Sequence, residues 1–334
     1  MKKISRIIAW VVVLCLALLP LLGVNGLLLQ TLIMIGVFAG LSMATDLIIG
    51  YIGELSFGQP AFFAVGAYTA AKLVTTNPQM SFFVILLVSI VVTAVFGVII
   101  GGISLRLQGP FFAMLTFGMS GILATLANNW SSFTGGSNGL PGIPPLQIGG
   151  LMFTKPVYYW YFIFVLCLIV YAVSRILLSG RTGRAILSSR DNSGLASALG
   201  INVFRYKLLT FVVSSILSGL IGVFYAYYIG YVSPDLFGIY FLQMTLSMVV
   251  IGGKGTLIGP VIGSVILTSA SNYIQLKPEW NLIIFGLVTI LALIFFPKGI
   301  VSAFTHIVER RNHKTDELKS MEGYDDTEVR TVNG

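Results

Sequence analysis

Long apolar stretches alternate with short polar ones along the chain. The apolar runs cover residues 7–23, 27–49, 61–73, 82–105, 111–127, 157–178, 208–228, 241–251, 257–274 and 282–296. A helix needs about 20 apolar residues to cross the hydrocarbon core of a bilayer. The runs therefore predict an all-α, polytopic membrane protein with about ten transmembrane helices. The third and eighth runs are short and lie beside Gly- and Pro-rich segments.

The placement of the basic residues supports an even number of helices. When the N-terminus is placed in the cytoplasm, every Lys and Arg except Lys72, Lys155 and Lys277 falls on the cytoplasmic side. This bias is typical of membrane proteins. It predicts cytoplasmic N- and C-termini, a transmembrane domain over residues 1–300 and a partly disordered cytoplasmic tail over residues 301–334. Residues 1–23 resemble a signal peptide, but their long apolar part and the lack of a clear cleavage site favour a first transmembrane helix over cleavage.

The composition excludes several classes of function. Of the 334 residues, 56% are hydrophobic and 10% are charged, whereas soluble domains carry roughly 25% charged residues. The net charge is +8, but no Lys/Arg run is interleaved with aromatic residues on a soluble domain. Nucleic-acid binding is therefore not expected.

Residues for catalysis or metal binding are missing from the apolar runs. His306 and His313 both lie in the tail, and Cys15 and Cys167 lie in apolar runs without metal-ligand spacing. Lys254 lies between glycines, but the chain has no phosphate-loop motif. We expect no enzymatic activity, no metal and no cofactor in this chain. Energy for uphill transport would come from another subunit or from an ion gradient.

The most informative polar segment covers residues 181–207. It predicts two short helices, the first over 183–189 and the second capped by Asp191 or Ser193 and ended by Gly200. The small and apolar side chains exposed on the second helix would be Gly194, Leu195, Ala196, Ala198, Leu199 and Ile201. Such a helix could enter a groove on another protein. The alternative is a basic loop that only fixes the topology.

Two nine-residue segments, 50–58 and 230–238, resemble each other. Both begin with Gly-Tyr, end with Phe-Gly and contain an acidic residue followed by leucine. In the predicted topology they lie near opposite faces of the membrane, as an inverted repeat of helices two to five on helices seven to ten would place them. Such repeats with broken helices are typical of transporters, and the breaks lie near the substrate path. The alternative is a chance similarity of two glycine-rich turns.

Asp46 and Glu54 flank the first of these breaks. Ionisable residues in a membrane span are costly and usually face a cavity or a partner. One hypothesis places them beside a translocation path. The alternative is that they are helix-end acids bonded to free backbone N–H groups. Small residues nearby, such as Gly58 and Gly66, are more often packing devices than ligands.

Several segments together resemble the permeases of the branched-chain amino acid ABC transporters. The matching segments are residues 50–70, 105–113, 128–140, 184–201, 206–207, 231–234 and 252–260. The second and third of them resemble the M-type subunit rather than the H-type, and the match covers residues 28–300. The sequence departs from the family pattern at Asp46 and Glu54, where amides are common, and at Gln59-Pro60, where His-Ala is more usual.

The resemblance implies an ABC importer permease fold and half of a heterodimeric pore in a bacterial inner membrane. The partners would be an H-type permease, two cytoplasmic ABC ATPases that bind ATP and Mg²⁺, and an extracytoplasmic substrate-binding protein. The residues expected to couple to the ATPase are Arg184, Arg190, Asp191, Leu195, Ala196, Ala198, Leu199 and Gly200. Those expected at the translocation path or helix break are Asp46, Glu54, Ser56, Gly58, Pro60, Phe62, Phe63, Gly66 and Tyr68.

The expected function is therefore the transport of branched-chain or related apolar amino acids, coupled to separate ATPase subunits. One alternative is an importer of urea or short amides, which would use the same type of permease. Another is an ion-coupled secondary transporter that uses Asp46 or Glu54. A third is a membrane-embedded assembly protein with no substrate.

Overall fold

The structure, a computed structural model, describes residues 25–274 together with residues 20, 286–291, 294 and 299. Almost all of the predicted first helix (7–23), most of the predicted tenth (282–296) and the tail (301–334) lie outside the described residues. Each of the other eight apolar runs coincides with a helix of the structure.

The elements of the described part follow in chain order. The α-helices are α1 (Gly26–Asp46), α2 (Gln59–Thr76), α3 (Phe82–Ser104), α4 (Pro110–Asn129), α5 (Ser131–Thr134), α6 (Pro156–Leu177), α7 (Gly180–Asp191), α8 (Ser193–Ala198), α9 (Val203–Ile229), α10 (Ile239–Gly252) and α11 (Gly259–Ile274). A π-helical turn, Leu47–Ile52, continues α1, and 3-10 turns cover Gly136–Asn138 and Pro234–Phe237. The strands are β1 (Leu140–Pro141), β2 (Gln147–Ile148), β3 (Leu151–Met152) and β4 (Tyr231–Val232).

Five of the described helices are long and apolar enough to cross a membrane. They are α1 with its π-helical turn, α3, α4, α6 and α9, and α10 is a shorter apolar helix. α1 and α9 are mostly buried inside the protein, whereas only 28% of the most apolar part of α3, of α4 and of α6 is buried, and the rest is partly or fully exposed. Exposed apolar surface on this scale marks a membrane-facing exterior. The prediction of a predominantly helical, multi-pass membrane protein therefore holds for the described residues.

Successive long helices run in opposite directions and define two faces of the molecule. The basic face carries the connections 53–58, 105–109, 178–202 and 253–258, and the opposite face carries 130–155 and 230–238. Among the described Lys and Arg residues, only Lys72 and Lys155 lie towards the opposite face. The predicted distribution of basic residues between the two sides is thus reproduced.

The core lies where α2 crosses α9. Phe62 packs edge-on against Phe211 with ring centroids 5.5 Å apart, and Phe63 lies 5.2 Å from Tyr225. Glycines bring the two backbones together, since a Cβ atom on Gly222 would overlap the carbonyl oxygen of Phe63. Close approach of small residues is a common way to pack helices where lipid removes the hydrophobic driving force.

Short strands cover the opposite face. β1 pairs antiparallel with β4, which places Leu140 beside Val232, and β2 pairs with β3. The hydroxyl of Tyr231 donates to the carbonyl oxygen of Asn138 at 3.0 Å. The sequence predicted turns here, and the two-residue ladders are a minor departure from an all-α fold. They satisfy backbone groups that a Gly- and Pro-rich segment cannot place in a helix.

The helix contacts in the two halves of the chain correspond to each other. α2 packs on α3 as α10 packs on α11. α3 packs on α9 as α11 packs on α1, and α2 packs on α9 as α10 packs on α1. In this correspondence α1 matches α9, α2 matches α10 and α3 matches α11. Each of these contacts in one half therefore has a counterpart in the other half.

We expect Gly222→Ala to destabilise the protein by about 1–3 kcal/mol, the usual cost of overpacking a core. The same substitution at Gly102 is the matched control, because a Cβ atom there has no neighbour within 4 Å. Gly102→Ala should be neutral or slightly stabilising, since alanine favours helix interiors. Thermal unfolding of the purified variants in detergent measures both. Equal midpoints for the two variants would contradict the packing described here.

Candidate functional site

α7 and α8 form the predicted pair of short helices, with different ends. α7 extends to Asp191, beyond the predicted range 183–189, and the next residue caps α8: the Asn192 side chain accepts from the Leu195 N–H at 2.9 Å. The prediction that Asp191 or Ser193 provides the cap is wrong, because Asp191 remains helical and its carboxylate pairs with Arg190 at 2.9 Å. The prediction that Gly200 ends α8 is confirmed by its left-handed backbone, φ 81°.

α8 presents two leucines away from the rest of the chain. Leu195 is 59% exposed and Leu199 is 73% exposed. Gly194, Ala198 and Gly200 are exposed on the same short helix and its end, and so are Arg184 and Arg190 on α7. Ala196 was expected on this surface, but it is 2% exposed. It therefore faces the protein and is not part of the exposed surface of α8.

Arg190 connects α7 to the end of α1. Its Nη1 donates to the carbonyl oxygen of Gly50 at 2.9 Å. Gly50 lies in the π-helical turn, where the wider winding leaves backbone groups without their usual helical partners. Gly53 ends that turn with φ 82°, and a Cβ atom there would lie 2.7 Å from Cγ of Arg190. The arginine side chain therefore packs over the broken end of α1 as well as bonding to it.

Asp46, the last residue of α1, is fully buried. Its Oδ1 accepts from the backbone N–H of Gly255 at 2.8 Å, which ties α1 to the connection between α10 and α11. Among the described residues, its Oδ2 has no hydrogen-bond partner. A Cβ atom on Gly50 would overlap both Oδ1 of Asp46 and the nitrogen of Gly255. Of the two hypotheses for Asp46, the helix-end acid bonded to a free backbone N–H matches this geometry.

Glu54 forms a buried ion pair that the sequence did not predict. Its Oε1 accepts from Nζ of Lys207 at 2.9 Å, and its Oε2 accepts from the N–H of Gly109 at 2.9 Å. The glutamate is 8% exposed and the lysine 9%. Sequence reasoning used Lys207 as a marker of topology and as part of the family match, and gave it no partner. The available signal was a lysine in the second turn of the long apolar helix α9.

The other residues expected at the helix break are packed inside the chain. Ser56 accepts from the N–H of Gly58 at 3.4 Å, and Tyr68 stacks on Phe237 with ring centroids 6.0 Å apart. Pro60, Phe62, Phe63 and Gly66 are also buried. Their role in a translocation path stays a prediction.

Gln59 was noted only as a departure from a family pattern, and the structure gives it a place in the core. Its Oε1 accepts from the hydroxyl of Ser218 at 3.0 Å and lies 3.1 Å from the hydroxyl oxygen of Ser214. The proton of Ser214 is donated to the carbonyl oxygen of Ala44, which is the closer acceptor. The amide thus joins the start of α2 to the middle of α9 and the end of α1.

A cavity of about 510 Å³ lies beside α8 at the basic face. Its lining residues are Leu105, Gln108, Ser193, Gly194, Ser197, Ile201, Asn202, Val203, Phe204 and Lys207. A second cavity, of about 460 Å³, lies at the opposite face between the start of α3 and the 144–152 loop. None of the residues expected at the helix break lines either of these two cavities.

Comparison with known proteins decides the family. A family model described as "Branched-chain amino acid transport system / permease component" matches residues 27–293. The chain belongs to this permease family. The matched range agrees with the resemblance over residues 28–300, so that prediction is confirmed.

Individual members of this permease family match most of the chain. The high-affinity branched-chain amino acid transport system permease protein LivM of Salmonella typhimurium is 28% identical over 295 residues, covering 81% of this chain and 68% of the relative. LivM of Escherichia coli K12 gives the same identity and coverage. LivH of Salmonella typhimurium is 24% identical over 288 residues, covering 79% of this chain and 91% of the relative. No solved structure matches the chain.

Asp46→Ala should lower the free energy of unfolding by about 1–3 kcal/mol, because it leaves the partly buried N–H of Gly255 without its acceptor. Asp46→Asn keeps an acceptor oxygen in place and should lose clearly less. Thermal unfolding in detergent compares the two variants. If both variants unfold with equal loss, the hydrogen bond to Gly255 is not what stabilises this end of α1.

Proposed function

We propose that this chain is a permease subunit of an ATP-binding-cassette importer and has no enzymatic activity of its own. It would form half of the path for branched-chain or related apolar amino acids in a bacterial inner membrane. Family membership supports the transport role, and the names of LivM and LivH support this substrate class and a pore of two permeases. ATP and Mg²⁺ would bind to two separate cytoplasmic ATPases, and an extracytoplasmic binding protein would deliver the substrate.

The observation that carries the coupling role is the exposure of Leu195 and Leu199 on α8. Two leucines exposed at the basic face, away from the apolar helices, are unfavourable in water unless another protein covers them. Arg184 is also exposed on α7 and would flank the contact. The guanidinium of Arg190 is instead held inside the chain by Gly50 and Asp191, so we do not place it in the docking contact. We infer that α8 enters a groove on the ATPase and that Leu195, Ala198, Leu199 and Gly200 form its docking face.

The topology supports a cytoplasmic position for the basic face. Lys and Arg residues collect at that face among the described helices, as in cytoplasmic loops. A transmembrane domain over residues 1–300 with ten helices, cytoplasmic termini and a cytoplasmic tail requires that the shorter helices α2, α10 and α11 and the apolar runs 7–23 and 282–296 also cross the membrane.

The exchange of contacts between α1–α3 and α9–α11 supports an inverted repeat. The two similar segments, 50–58 and 230–238, lie at opposite faces, and the final glycine of each precedes a helix, α2 or α10. A chance similarity of two turns would not also reproduce the helix contacts. The translocation path is inferred to run near these breaks.

The geometry weakens the role of Glu54 as the ion-binding carboxylate of a secondary transporter. The two candidate carboxylates for such a transporter were Asp46 and Glu54. Glu54 is held by Lys207 and by the N–H of Gly109, so both of its oxygens are engaged. A carboxylate that binds and releases an ion must exchange partners, and this one is fixed between two donors.

Replacing Leu195 and Leu199 together by Asp should abolish ATPase binding and leucine-stimulated ATP hydrolysis, because the variant places two charges in an apolar groove. The complex would be purified with the partner permease, the ATPases and the binding protein, and each subunit quantified. The partner permease should still co-purify.

Leu151→Asp is the control, since Leu151 is 72% exposed but lies at the opposite face. It should leave co-purification of the ATPase unchanged. Undiminished ATPase binding by the double Asp variant would overturn the docking role of α8.

A further inference from the structure

Two side chains on either side of α8 reach the same stretch of the chain, residues 47–58. Arg190 precedes α8 and donates to the carbonyl oxygen of Gly50 at 2.9 Å. Lys207 follows α8 and pairs with Glu54 at 2.9 Å. Both contact points lie where the chain has left regular α-helical winding. A displacement of α8 therefore reaches residues 47–58 from both sides.

We propose that Arg190 and Lys207 are positioning residues that transmit the movement of α8 to the broken end of α1. The proposal rests on the proposed function, because it takes α8 as the helix on which the ATPase acts. It adds the route inside this chain, from the docking helix through two cations to residues 47–58.

The Lys207–Glu54 contact has the properties of a stiff connection. Both side chains are about nine-tenths buried, so water screens their attraction far less than at a surface. The second carboxylate oxygen accepts from the N–H of Gly109, which fixes the carboxylate between two donors. Hydrogen bonds of this charged type are shorter and stronger than neutral ones. The start of α9 and residues 47–58 therefore move together.

The route continues into α4. Gly109 directly precedes α4, so the carboxylate of Glu54 also holds the start of that helix. Farther along the same segment, the N–H of Phe57 donates to the hydroxyl of Thr116 at 3.2 Å, and its ring lies edge-on to Phe117 at 6.2 Å. A shift of residues 47–58 thus reaches α4 at two levels. α4 leaves most of its surface free for a partner permease or lipid.

The alternative is that the ion pair only stabilises the fold, and a double substitution separates the two roles. Lys207→Met alone leaves a buried charge without a partner, which is strongly unfavourable. Glu54→Gln with Lys207→Met removes both charges, and the glutamine oxygen can still accept from Gly109. This double variant should assemble normally but lack the charged connection.

The test uses the complete complex in lipid vesicles, with leucine-loaded binding protein as the stimulus. The double variant should bind the ATPases and keep their unstimulated activity. Its stimulated ATPase activity and leucine uptake should fall about tenfold, within the usual range of coupling between sites. Lys207→Arg should retain most of the stimulation, because it keeps the charge and the cavity beside Lys207 has room for the larger group.

Arg190→Met provides a second variant whose folding does not depend on a buried charge, because the Arg190 side chain is 35% exposed. It should also lower stimulation while the ATPase stays bound. Arg205→Met is the matched control on the first turn of α9, where the side chain is exposed, and stimulation should be unchanged.

The double Asp variant at Leu195 and Leu199 should lose ATPase binding, whereas the Glu54/Lys207 double variant and Arg190→Met should keep it. ATPase binding therefore distinguishes a failure of docking from a failure of transmission. Wild-type stimulation in the Glu54/Lys207 double variant, or in Arg190→Met, would overturn the proposal. The proposal would also be overturned if the stimulated ATPase activity of the Lys207→Arg complex were no higher than that of the Lys207→Met complex.

Discussion

A bilayer offers no water to backbone groups, so any break in a membrane helix must find its hydrogen bonds inside the protein. The break at residues 47–58 meets this requirement with side chains from distant parts of the chain. Arg190 donates to the carbonyl oxygen of Gly50, and the hydroxyl of Thr116 accepts from the N–H of Phe57. Asp46, directly before the break, accepts from the N–H of Gly255 in the 253–258 connection. The arrangement of the basic face depends on these contacts, because they fix α7, α4 and the 253–258 connection against the same end of α1.

The same segment brings two kinds of interaction together. Towards the middle of the protein, α1, α2 and α9 pack through aromatic rings and glycines, which permits little relative movement without overlap. At the basic face, the connections to α8 depend on charges and hydrogen bonds, which are directional and few. With a rigid core joined to a polar junction, the core helices move as one body and relative movement is confined to the junction. This division fits a subunit that receives work from outside its own chain.

The sequence predicted the elements better than the connections between them. Apolar runs placed eight helices, because lipid requires long uninterrupted runs whatever the tertiary contacts. Gly200 was predicted correctly because its left-handed conformation is a local property. The cap of α8 was wrong because the end of α7 decides which residue is free to cap. The ion pair joins residues 153 positions apart, and no local pattern relates Glu54 to Lys207. The inward position of Ala196 likewise depends on how α8 meets its neighbours.

The length and stiffness of α9 relate the two faces of the molecule. Its 27 residues form a continuous rod of about 40 Å, with Lys207 near one end and, just beyond the other, the β4 strand that pairs with β1. The rod contains no proline, and its inner glycines are wedged against α2 and α3, so it has no hinge along its length. A tilt imposed at one membrane surface must therefore reappear at the other, where the strand ladder would carry it into the 130–155 lobe. The 130–155 segment at the opposite face and the ion pair of Lys207 at the basic face are therefore joined through one rigid helix.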